Sequence, residues 1–72
     1  MVYFVINSRK VVMLYGTEEK ICEYYEKDYG YKRFYKDRPD NTKTRFEKVK
    51  WFLWIYYDFM VVTSAKLQEG GM

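Results

Sequence analysis

The stretch Trp51-Phe52-Leu53-Trp54-Ile55-Tyr56-Tyr57, followed by Asp58 and then Phe59-Met60-Val61-Val62-Thr63, decides how this chain folds. Two readings of residues 45–62 compete. Phe46, Val49, Leu53, Tyr56 and Met60 recur at a helical period, and Thr44 and Glu47 have the spacing of a capping box, in which each side chain bonds the other's backbone N–H. Against this, both apolar runs are made of aromatic and β-branched residues, the strongest strand formers. The strand reading is preferred: a long strand over 45–56, a tight turn at Tyr57-Asp58 and a final strand over 59–65. The apolar run from Trp51 to Val62 carries Asp58 and is too short for the ~20 residues that cross a bilayer, so it reads as core.

Working back toward the N-terminus, Val2-Tyr3-Phe4-Val5-Ile6 and Val11-Val12-Met13-Leu14-Tyr15 are two further strand-like runs. The polar break Asn7-Ser8-Arg9-Lys10 between them predicts an antiparallel hairpin. Gly16-Thr17 ends the second strand and opens a helix. Thr17 is a suitable N-cap, Glu18 and Glu19 favour the positive end of the helix dipole, Ile21, Tyr25 and Tyr29 line one face, and Gly30 is placed as the C-terminal cap. Tyr31-Lys32-Arg33-Phe34-Tyr35-Lys36 alternates loosely and reads as a short exposed strand. Residues 37–42, with Pro39, Asp40 and Asn41, read as a turn. The expected architecture is therefore α+β, in the order ββαβββ: an antiparallel sheet of about five strands with one helix on one face. Residues 1–67 make a single domain, and 68–72, with Gly70-Gly71, a disordered tail.

Composition bounds what such a domain does. The chain has 72 residues, no histidine, one cysteine and a net charge of +3, with nine Tyr, five Phe and two Trp. A chain this short buries only roughly 60% of its unfolded surface. The aromatic residues supply a core, but there are more rings than so small an interior hides, and some must remain at the surface. One cysteine precludes an internal disulfide, no Cys/His cluster offers a zinc site, and an unstapled small domain with no basic leader fits a cytoplasmic setting.

Catalysis is not expected. Without histidine there is no Ser-His-Asp or Cys-His arrangement, and the side chain most often used for general acid–base work near neutral pH is missing. No glycine-rich phosphate loop occurs. The acids at 18, 19, 23, 26 and 28 read as a solvated helix face, and Cys22 as a small buried hydrophobe. Catalytic, cofactor and metal residues are expected to be none.

The feature that points to function is a basic band. Residues 32–50 hold eight Lys and Arg against Asp37, Asp40 and Glu47, interleaved with Tyr31, Phe34 and Tyr35 and leading into Trp51. Pairing of the third and fourth strands would gather Tyr31, Arg33, Tyr35, Arg45, Lys48, Lys50, Trp51 and Trp54 into one aromatic and cationic patch on the open face of the sheet. Trp, Tyr and Arg dominate protein interface energies, so the leading expectation is a non-catalytic inhibitor or adaptor that docks on a larger protein through that face. The alternative is a module binding RNA or single strands through the 31–51 patch, since cations meet phosphates and flat rings meet bases. Self-association through spare aromatic surface is a further expectation, and no membrane partner is expected. The composition is of a kind common among small viral accessory proteins; the residues resemble no known family.

Overall fold

The computed structural model describes residues 1–36 and 41–65. Strand β1 (Tyr3–Ile6) lies at the centre of a three-stranded sheet between β2 (Val12–Gly16) and β3 (Met60–Thr63), in the order β2-β1-β3. Both pairings are antiparallel, with Phe4 opposite Tyr15 on one side and opposite Val62 on the other. The expected hairpin is present. Its turn is built by Asn7, whose Oδ1 accepts the backbone N–H groups of Arg9 and Val11 at 2.9 Å each, with Lys10 in the left-handed region at φ 64. A bulge follows, since Leu14 pairs with Val5 but Val12 with Ile6, leaving Met13 as the extra residue.

Three helices replace the expected one. Helix α1 (Glu18–Glu26) starts where the sequence places it, with Thr17 as N-cap accepting the Lys20 N–H at 3.2 Å. It ends four residues before Gly30. Asp28 then starts a second helix, α2 (Tyr29–Lys36): its Oδ1 accepts the Gly30 N–H at 2.8 Å and its carbonyl the Lys32 N–H at 3.2 Å. Helix α3 (Arg45–Phe52) opens on the complete Thr44–Glu47 capping box and continues as a π-helical turn over Leu53–Tyr57. Asp58 closes it in the left-handed conformation at φ 62, and the N–H groups of both Asp58 and Phe59 reach the Leu53 carbonyl.

The strands expected over 31–36 and 45–56 are therefore corrected to helices, and the five-stranded sheet to three strands. The reason is which period the core uses. Tyr31, Phe34 and Tyr35 sit at i, i+3 and i+4 and pack inward, while Val49, Phe52 and Leu53 repeat that spacing over α3 and the start of its π turn and are wholly buried. Strand propensity reflects fit to a pleated, half-buried surface rather than an intrinsic backbone preference, and here the same rings fit a helix–helix seam. Gly30 is not a helix end but a contact point. A Cβ there would meet Cε2 of Tyr56 at 3.0 Å, so its absence lets α2 lie close under the π turn. The expected disordered tail at 68–72 and most of the turn at 37–42 lie outside the described residues.

The core forms between one face of the sheet and the helices. Val5 meets Ile21, Cys22 and Tyr25 of α1 and Val49, Phe52 and Leu53 of the third helix, with Tyr3, Leu14 and Val61 closing it from the sheet. Phe52 is its hub. Its ring lies 5.4 Å from Tyr31, 5.5 Å from Phe34, 5.1 Å from Tyr56 and 5.5 Å from Tyr57, centroid to centroid. Truncating Phe52 to Ala is expected to cost about 3–5 kcal/mol, the cost typical of an emptied aromatic core site and a large part of the stability of so small a domain. Urea denaturation followed by circular dichroism measures it; a loss below about 1 kcal/mol, within the range of surface substitutions, would show that the ring is not the hub.

Candidate functional site

Helix formation redistributes the candidate residues. Because Tyr31 and Tyr35 point inward from α2, they serve the core: Tyr31 packs on Phe52, and the Tyr35 hydroxyl donates to the Lys48 carbonyl at 2.7 Å. Arg33 lies on the opposite, exposed side of the same helix. Arg45 is held by Glu26 of α1 through two hydrogen bonds at 2.8 and 2.6 Å. That contact sets the Glu26 carboxyl below its ordinary value, against a smaller opposing effect of burial. Lys48 covers the Tyr35 ring, with Nζ 4.9 Å from its centroid. None of these residues lies on the sheet, so the expected aromatic and basic sheet patch is not formed.

What the fold does bring together are Lys50, Trp51 and Trp54. Spaced at i, i+1 and i+4, they share the outward side of α3 with Glu47 and, just ahead of the cap, Lys43. These five side chains line a shallow hollow of about 410 Å³. Trp51 is 47% and Trp54 50% exposed, and Ile55 beside them is as open. Lys43 stands over the Trp51 ring at 5.4 Å and Lys50 over Phe46 at 5.2 Å, so both cations are positioned by aromatic faces. Sequence reasoning missed Lys43 and Glu47; their i, i+4 spacing, continued to Trp51 and Trp54, was the signal.

The sheet face turned away from the helices is apolar rather than basic. Phe4 stacks on Tyr15 with centroids 6.0 Å apart, and Val12, Met13 and Met60 flank them exposed. Cys22 is buried as expected, and burial pushes its thiol pKa up, which disfavours the nucleophilic thiolate. Among the described residues there is no group of three or more His, Cys, Asp or Glu able to hold a metal ion, and no helix long and apolar enough to cross a membrane. No protein-family model, curated protein or solved structure matches the chain.

Two phenols mark how the helical layer is fastened. Tyr57 donates to Asp28 Oδ2 at 2.6 Å, and chiefly for that reason its pKa rises from 10.0 to about 12. Burial raises Tyr25 equally, to about 12. A phenol raised in the folded state keeps its proton after the unfolded chain has lost it, so its stabilisation is complete below pH 10 and disappears as pH climbs toward 12. Denaturation midpoints taken across that window are expected to fall, and Tyr57→Phe to lessen the fall. An equal decline in Tyr57→Phe would mean that the Asp28 contact does not carry it.

Proposed function

We propose that this protein is a non-catalytic interaction module, of inhibitor or adaptor type, that docks on a larger protein through the outward side of α3. The observation that carries this reading is the pair of tryptophans. Trp51 and Trp54 lie one turn apart on a capped helix, half exposed beside a hollow, and neither belongs to the buried core. Trp is the residue most enriched among binding hot spots, and one already ordered against a rigid helix loses little freedom on binding. Lys43 and Lys50 rim the apolar floor, which suits a partner that presents apolar side chains with acidic neighbours.

The protein interior supports a role without chemistry. Cys22 is buried in the core, where burial raises its thiol pKa, and the α1 carboxylates lie along the exposed side of the helix, Glu18 accepting from the Tyr3 hydroxyl and Glu26 engaged with Arg45.

The test is capture of a partner by the tagged protein from lysate, with and without nuclease, followed by titration calorimetry of the captured protein. Trp51→Ala and Trp54→Ala are each expected to lower affinity by roughly 2 kcal/mol or more, the hot-spot range, which is about thirtyfold in Kd. Both variants should retain the wild-type circular dichroism, since neither ring is in the core. A partner bound equally well by both would remove this surface as the docking site.

A further inference from the structure

The basic band divides into two halves with different fates. Lys43, Lys48 and Lys50 each lie over an aromatic ring, and Arg45 is paired with Glu26. Lys32, Arg33 and Lys36 on α2 are exposed, and among the described residues no carboxylate pairs with them and no ring lies beneath them. With Tyr29 they occupy positions i, i+3, i+4 and i+7, one face of the helix, around an open hollow of about 500 Å³. Tyr29 is 74% exposed and makes no ring contact with any described residue. Arg33 and Lys36, in the last turn, suit the negative end of the helix dipole, but that does not account for Lys32 or for the exposed Tyr29 ring beside them.

We propose that this α2 face binds single-stranded nucleic acid, with Lys32, Arg33 and Lys36 on backbone phosphates and Tyr29 stacked on a base. Two features favour this ligand over an acidic protein. Lys32 and Lys36 are separated by about 6 Å along the helix axis, one turn, a stride close to that between neighbouring phosphates on a strand. A free ring at the end of a cation row is the pairing that single-strand binders use, whereas an acidic peptide needs only the cations. The face is distinct from the tryptophan surface on α3, so either can fail without the other.

The experiment is fluorescence anisotropy with labelled oligouridylate and oligothymidylate of about a dozen nucleotides, within the range of known single-strand site sizes. Binding is expected at low salt, falling with a log–log slope near −2 for three phosphates at about −0.7 each. The triple variant Lys32→Ala, Arg33→Ala, Lys36→Ala should bind at least tenfold more weakly. Tyr29→Ala should weaken binding severalfold, and Tyr29→Phe should restore it. A charge-matched triple at Lys10, Lys20 and Lys27 should stay within twofold of wild type. The proposal is overturned by absence of binding at low salt, or by equal losses in the two triples, which would mean net charge alone. It is also overturned if Tyr29→Ala has no effect while polyglutamate competes equally, which would make the face an acidic-protein surface.

Discussion

One buried ring holds the helical layer together. The Phe52 ring on α3 meets both the inward side of α2, through Tyr31 and Phe34, and the π turn, through Tyr56 and Tyr57. Edge-to-face and offset-stacked rings of this kind add about 0.5–1.5 kcal/mol per pair beyond the area they bury. In a chain that hides so little of its surface, such local density stands in for a larger aliphatic interior. The other arrangements depend on it. Gly30 lies close under Tyr56 only because α2 is drawn against that ring, and the same approach brings Asp28 within reach of the Tyr57 hydroxyl.

The N-terminal half was legible in the sequence and the C-terminal half was not, for a physical reason. Residues 2–6 and 11–15 are two short apolar runs of strand-forming residues on either side of a polar break headed by Asn7, and the hairpin has no competitor. Thr17, Glu18 and Glu19 mark a helix start that nothing contradicts. From residue 31 onward, aromatics dominate, and a ring that favours a strand when it faces a pleated sheet is equally at home in a helix seam. The capping box at Thr44–Glu47 was visible and correct, but propensity summed over Trp51 to Tyr57 outweighed it. The break at Lys27-Asp28 was hidden because Asp28 starts a helix by accepting a backbone N–H, a role that looks like any other acid in an acidic helix. The candidate residues were chosen by type and placed by the wrong period: a two-residue repeat gathers Tyr31, Arg33 and Tyr35 on one side, whereas a 3.6-residue repeat sends Arg33 outward and both tyrosines in.

That change of period also sorts the charges. Of the cations that follow the loop, Arg45 ties α3 to Glu26 of α1 and Lys48 covers Tyr35 of α2, while Lys43 and Lys50 lie over rings of α3 itself. Cations on α2 join no other element: Arg33 and Lys36 suit the C-terminal end of their own helix, and their heads are left in water. A band that looks uniform along the chain is thus partly structural cement and partly open surface, and only the folded arrangement distinguishes them.

The π-helical turn over Leu53–Tyr57 holds one residue more than an α-helix would need to cover the same rise. Deleting one residue there would return the turn to ordinary α pitch over the same rise, so the backbone beyond it keeps its path while side chains within the turn step round the axis by about 100°. The contacts of Tyr56 and Tyr57 with Phe52, and of Tyr57 with Asp28, are made from this wider turn. Loss of one residue here is therefore felt first in the ring contacts of the turn and not in the entry of β3 into the sheet.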